Sequence, residues 1–227
     1  MSAINDAYDC IRACLRGCDL EPYIEPLSHV LQVDALRQAN RPKEDVRLLL
    51  IAESHVRRPD RYVQLFGPGF LYNPNYYTSW WGDLFLPAFG GRLRASRKNR
   101  QGYLRAMQNA GFWVLDMSLI ALSRYDKVNP DWPARPFDSY QEQIVRDSWF
   151  YVVEAEVQKV MNQATPPVVC VYDRVSYVLP HTLLSQAAIL KFNTPANAVQ
   201  YRQPNYPFGA ERFRQAAVAA GLHHCLN

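Results

Sequence analysis

The stretch Val46-Arg47-Leu48-Leu49-Leu50-Ile51-Ala52-Glu53-Ser54-His55-Val56-Arg57-Arg58 decides the fold. Its apolar run from Leu48 to Ala52 is too short for a helix covered on two faces and suits a parallel strand buried on both sides. The run stops abruptly at Glu53, Ser54 and His55. Ligands of open parallel sheets collect at the carboxyl ends of the strands, so a carboxylate, a hydroxyl and an imidazole there form a candidate site. The competing reading is a polar strand end leading into a helix that Ser54 caps.

Three further apolar runs follow. Phe112 to Ala121 reads as a second strand with its trailing loop, interrupted by Asp116. A buried carboxylate is costly unless something pairs with it, so Asp116 is either a ligand-reading group or part of a core salt bridge. Pro167 to Tyr172 reads as the third strand, ending at Asp173, and Ala187 to Phe192 as the fourth, ending in the polar loop Asn193-Thr194-Pro195-Ala196-Asn197. Helices are expected over residues 3–18, 27–38, 139–163, up to about 186, and 209–220. The first two carry no obvious chemistry and read as covering helices. Strands alternating with helices predict an α/β fold, a three-layer α/β/α sandwich around a central four-stranded, mostly parallel sheet.

A chain of 227 residues fits one domain spanning 1–227. Hydrophobic content of 48% and aromatic content of 13% support a packed core and argue against disorder. A net charge of +4 and a pI near 8.8 permit a polyanionic partner without requiring one. There is no run of about 18 apolar residues and no charged-then-apolar leader, so a soluble, cytoplasmic protein without membrane contact is expected. Of the five cysteines, Cys10, Cys14 and Cys18 recur every four residues, Cys170 lies in an apolar strand and Cys225 is near the end. Without a CxxC pair a structural zinc site has little support. The cysteine stripe either contributes to an iron–sulfur site or is a small-residue packing face. No metal and no cofactor are expected.

Two intervening stretches suggest a partner. Residues 59–91 form a long irregular segment with Phe66-Gly67-Pro68-Gly69-Phe70, Tyr72-Asn73-Pro74-Asn75-Tyr76-Tyr77 and Trp80-Trp81. Aromatic side chains concentrated in a loop suit base or sugar stacking, or a plug over the sheet end. From Gly91 to Arg105, Arg92, Arg94, Arg97, Lys98, Arg100 and Arg105 occur with no acidic residue between them. They suit phosphate neutralisation or a solvated helix face. A third irregular segment, Val199 to Phe208, carries Tyr201, Arg202, Asn205 and Tyr206. Dinucleotide and P-loop signatures are missing, and Ala52-Glu53-Ser54-His55-Val56 is not the GxSxG elbow of nucleophilic hydrolases. Metal hydrolysis would draw on Glu53, His55 and Asp116 or Asp173.

The layout resembles the uracil-DNA glycosylase superfamily. The shared features are a strand ending in a small residue and a carboxylate, an aromatic-bearing loop, a second strand with one polar residue, and a late polar loop before a C-terminal helix. In the iron–sulfur branch of that superfamily the first motif is similar to Gly-Glu-X-Pro-Gly, and Ala52-Glu53-Ser54-His55-Val56 stands in its place. The resemblance implies that Glu53 positions or activates water at the sugar C1′ and that Asp116 stands where the base-reading asparagine does. It implies a stacking aromatic among Tyr72, Tyr76 and Tyr77, with Asn193 in the late loop, where the superfamily's His-Pro-Ser motif is absent and His55 is the candidate substitute. Arg57, Arg58, Arg92, Arg94, Arg97, Lys98, Arg100 and Arg202 are the expected DNA contacts. The four-cysteine pattern of the cluster-bearing branch is absent, so the cluster does not carry over.

The departures bear on substrate. Asparagine both donates and accepts, matching uracil, whereas an ionised aspartate only accepts and suits the exocyclic amine of cytosine. Because excision of ordinary cytosine would destroy the host genome, the expected substrate is a marked one, such as glucosylated hydroxymethylcytosine of phage DNA, and some bacterial defence glycosylases resemble this description. The expected activity is a monofunctional DNA glycosylase acting on modified or damaged DNA, with no obligate protein partner. Three alternatives stay open: uracil-excising repair, a non-enzymatic nucleic-acid-binding module of the same fold, and a small-molecule hydrolase using Glu53, Ser54 and His55.

Overall fold

A short strand that is apolar on both faces needs pairing partners at both edges and cover on both sides. The computed structural model describes residues 2–18, 21, 24–54, 88–91, 97–122, 137–170, 178–179, 189–191 and 207–226, without the side chains of 97–101, 104, 189–191 and 207–212. In it β1 (Leu48–Ala52) has both partners. It pairs in parallel with β2 (Phe112–Asp116) from Leu48↔Phe112 to Ala52↔Asp116, and on its other edge with β3 (Val168–Cys170). The short β4 (Ile189–Lys191) runs parallel beside β3, so the order is β2-β1-β3-β4. The protein is thus a mixed α/β fold in which β2, β1 and β3 form a parallel sheet.

Alternation along each strand divides the core in two. Leu49, Ile51, Trp113, Leu115, Val168 and Cys170 face α1 (Ala3–Cys14), α2 (Leu27–Ala39) and the helical segment 139–163. Leu48, Leu50, Phe112, Val114 and Val169 face α3 (Arg97–Asn109), the C-terminal helix (Pro207–Ala219) and Phe89. On this second side Phe89, Phe112 and Phe213 pack ring against ring, with centroids 5.0, 5.5 and 6.3 Å apart. On the first side, α2 is held to β2 by the Trp113 indole, which donates to the Arg37 carbonyl at 3.3 Å, and by Arg41, whose guanidinium lies 5.0 Å from the Trp113 ring. The turn between α3 and β2 demands glycine. Gly111 has φ of 100°, and a Cβ there would meet the Asp45 carbonyl oxygen at 2.8 Å.

Several elements differ in extent from the sequence expectation. The first helix ends at Cys14, not Cys18, because the chain turns through Gly17 at φ 76°. The last helix begins at Pro207, where the missing N–H of proline removes one of the unmet donors of the first turn. The expected continuous helix over 139–163 is three pieces: α4 (Ser139–Ser148), a π-helical segment (Trp149–Val153) and α5 (Glu154–Gln163). The buried residues explain this. Val145, Trp149, Val153 and Val157 are spaced strictly by four, whereas an α-helix repeats every 3.6 residues and a four-residue stripe drifts away from the sheet. A wider π turn absorbs that drift. Its signature is the Glu154 amide donating to the Trp149 carbonyl, five residues back. The third strand pairs over 168–170, and residues 171–173 and most of the helix expected up to 186 lie outside the described residues. Among the described residues no helix is long and apolar enough to cross a membrane.

Two outcomes are expected of this core. Phe213 is fully buried in the three-ring cluster, so Phe213→Ala should lower stability by about 3–5 kcal/mol in urea unfolding. Burial pushes the Cys225 thiol up to about 11, against smaller lowering effects from its own backbone and from Arg47. The folded chain therefore keeps this proton after the unfolded chain has lost it. Stability should hold below the ordinary thiol range and fall as pH rises from there through about 11. Cys225→Ala should flatten that alkaline limb in urea unfolding followed against pH.

Candidate functional site at the carboxyl ends of β1 and β2

Adjacent parallel strands lie about 4.8 Å apart, so residues at their carboxyl ends share one rim. Asp116 closes β2 opposite Ala52, and Glu53 is the next residue after Ala52. Both carboxylates are buried, Glu53 at 2% exposure and Asp116 at 6%. The strand exits stay joined beyond the ladder. The Met117 amide donates to the Ala52 carbonyl and the Ser118 amide to the Glu53 carbonyl, both at 2.9 Å.

The loop after Asp116 is buried almost throughout, so each of its amides needs an acceptor. Every amide from Met117 to Leu122 has one. After Met117 and Ser118, Leu119 donates to the Ser148 hydroxyl at 3.1 Å and Ile120 to the Ser118 hydroxyl at 3.3 Å. Ala121 donates to Glu25 Oε1 at 2.6 Å, and Leu122 to the Ser54 hydroxyl at 3.1 Å. The acceptors come from β1's exit, the loop itself, the end of α4 and the segment before α2. Ser118 and Ser148 also donate, to the Ile120 and Ile144 carbonyls, each at 2.7 Å. The loop is thereby fixed from three sides.

Glu25 is the least expected member, with 1% exposure. His29, one helical turn on, pairs through Nδ1 with the second carboxylate oxygen, and the Tyr8 hydroxyl donates to the Glu25 carbonyl at 2.6 Å. Burial raises the Tyr8 phenol above its ordinary range, countered by Arg12 and reinforced by the Glu25 and Asp9 charges. The phenol therefore remains protonated and able to donate. The two helices that read as mere cover from the sequence thus reach the rim.

The other expected site residues are distributed as follows. Arg97, Lys98 and Arg100 lie in the first turn of α3, and Arg105 farther along is exposed. The far end of α3 meets the start of β1 through Gly111, whose carbonyl accepts from Arg47 at 2.8 Å and Leu48 at 3.2 Å. Tyr103, Ala106 and Met107 pack along the sheet, so the helix runs back beside it and its basic first turn lies toward the rim that holds Glu53 and Asp116. His55, Arg57, Arg58, Tyr72, Tyr76, Tyr77, Arg92, Arg94, Asn193 and Arg202 lie outside the described residues. None of the five cysteines forms a disulfide. Cys10 donates to the Tyr151 hydroxyl at 3.5 Å, and burial foremost, then Asp147 and Cys18, raise the Cys14 thiol. Among the described residues no group of three or more His, Cys, Asp or Glu could hold a metal ion.

Glu25, Ser118 and Ser148 escaped the sequence reading, and so did the part of Ser54 as an acceptor for the β2 exit. Ser148 did leave a signal. It sits four residues from both Ile144 and Val152 on the apolar stripe, where a hydroxyl must find a buried partner. A cleft of ≈490 Å³ opens at the opposite, amino end of the strands, beside Asp45, Arg47, Asn109, Thr165 and Ala220. Its ionisable lining residues, Glu44, Asp45 and Arg47, are all exposed, so nothing there resembles the buried carboxylates of the rim. No family model matches the chain, and no curated protein or solved structure matches it either.

The amide accounting has a direct consequence. Ser148→Ala leaves the buried Leu119 amide without its acceptor and should cost about 1–3 kcal/mol in urea unfolding. Hydrogen exchange at Leu119 should accelerate while exchange in β1 stays slow.

Proposed function

We propose that the chain is a monofunctional DNA glycosylase that flips out and hydrolyses a modified cytosine nucleotide, leaving an abasic site. The single observation that supports this most is the pair of buried acidic residues, Glu53 and Asp116, at the carboxyl ends of neighbouring parallel strands. On this reading the finer architecture is the three-layer sandwich with a four-stranded sheet, and the enzyme acts on cytoplasmic DNA.

The chemistry assigns one task to each acidic residue. A base within a duplex is out of reach, so the nucleotide must leave the stack. As the bond between C1′ and the base nitrogen breaks, its electron pair leaves with the base and positive charge builds on the sugar. The Glu53 carboxylate stabilises that charge and accepts a proton from the water that adds to C1′. When ionised, Asp116 accepts hydrogen bonds only, which favours the exocyclic amine of a cytosine over uracil O4. On this reading Arg97, Lys98 and Arg100, in the first turn of α3, contact the DNA phosphates.

Alkali-induced strand cleavage tests the proposal on DNAs carrying uracil, cytosine, hydroxymethylcytosine or glucosylated hydroxymethylcytosine. Alkali-labile sites are expected in the modified-cytosine DNA alone. Glu53→Gln should lower the rate about 10²–10⁴-fold with DNA binding intact, and Asp116→Asn should shift preference toward uracil. Cleavage at uracil alone would make the chain a repair enzyme and sink the Asp116 argument. Binding with no abasic sites on any DNA would leave a non-enzymatic module, and salt-insensitive activity on free nucleosides would leave a small-molecule hydrolase.

A further inference from the structure

The geometry points to Glu25 as a positioning residue of the rim site. From the N-terminal helical cover, its carboxylate fixes the Ala121 amide and so holds the β2 exit loop that begins beside Asp116. The inference rests on the reading of Glu53 and Asp116 as the reacting end of the sheet.

Three observations carry it. The first is burial. At 1% exposure a carboxylate is costly to keep, and Glu25 spends one oxygen on a single backbone amide 96 residues away, at 2.6 Å. The second is restraint on the carboxylate itself. His29 pairs with its other oxygen, and the Tyr8 hydroxyl holds its backbone carbonyl at 2.6 Å. An acceptor fixed at both ends fixes what it binds. The third is the company Glu25 keeps. The neighbouring loop amides are met by Ser148 and Ser54, so the whole segment from Met117 to Leu122 is tied down.

Of these ties, the one from Glu25 comes from a carboxyl group, whose hydrogen bonds are the stronger ones when it is ionised. It is also the tie that α1 and α2 brace, through Tyr8 and His29. A loop so held cannot follow a ligand, so Asp116 and the exit of β1 stay where the fold sets them. Preorganisation of that kind matters to rate because small misplacements of reacting groups are expensive. Glu25 touches no reacting atom on this account. It acts through the loop.

Hydrogen exchange and single-turnover excision on the full chain, for wild type, Glu25→Ala and Glu25→Gln, test the inference. Glu25→Ala should lose protection at Ala121 and its neighbours while β1 and β3 keep theirs. Its excision rate should fall on the order of tenfold or more with DNA affinity unchanged, and Glu25→Gln, which keeps an oxygen acceptor, should restore most of that rate. Unchanged exchange over 117–122, or lost protection with an unchanged rate, would overturn the inference. If Glu25→Ala does not fold, His29→Ala serves in its place. It removes the partner that restrains the carboxylate and should loosen the same amides, and unchanged exchange again overturns the claim. A wild type that cleaves no DNA of the panel defeats the glycosylase reading separately. Exchange over 117–122 then decides alone, protection lost upholding the loop-fixing part of Glu25 and protection kept refuting it.

Discussion

The parallel pairing of β1 with β2 is the constraint on which the rest depends. Both strands are covered on both faces, so the peptide groups they turn toward each other must be met across the pair and each side chain must be apolar. Polar chemistry has room only where the strands end. Glu53 and Asp116 occur at those ends, one residue out of step, and so reach a common rim from two separate places in the sequence. Any ligand that meets both must lie across the end of the sheet.

The constraint does not stop with the last ladder bond. A buried loop outside a sheet has lost the neighbour that would satisfy its amides, and water is not available in its place. From Met117 to Leu122 the protein meets this need with two carbonyls, three serine hydroxyls and one carboxylate. Small hydroxyls are suited to the task because they accept and donate at once, as Ser118 and Ser148 both do. The outcome is that covering helices, strand exit and loop behave as one unit around the two acidic residues.

How far this was legible in the sequence follows from the kind of interaction involved. Leu48–Ala52 and Phe112–Asp116 were readable because a doubly buried strand leaves an uninterrupted apolar run, and the run's end marks the rim. The first helix was read four residues too long, because Cys10, Cys14 and Cys18 continue a face that the turn at Gly17 cuts short. Periodicity reports a face and says little about where a helix stops. The loop ties were not readable. Glu25 sits before a proline and looks like a break, while its partner lies 96 residues on. Ser54 and Leu122 are 68 residues apart. A bond from a side chain to a distant backbone amide imposes no repeat and no composition, so only the folded geometry reveals it.

The π-helical segment shows how packing and site are linked. A stripe spaced by four, Val145, Trp149, Val153 and Val157, can remain on the sheet only if the helix widens somewhere. The widening starts at Trp149, immediately after Ser148, whose hydroxyl bonds back to the Ile144 carbonyl at 2.7 Å. Back-bonding of this type weakens the regular ladder and bends helices. The same oxygen accepts from Leu119 in the loop beside Asp116. One residue therefore answers two demands, relieving the helix where its repeat goes out of phase and closing the hydrogen-bond account of the rim. Uninterrupted α geometry over 139–163 would let the stripe beyond Ser148 rotate off the sheet, or would turn Ser148 away from Leu119 to keep that stripe seated. The irregular turn is what lets the core on one face and the loop at the rim be satisfied by a single helix.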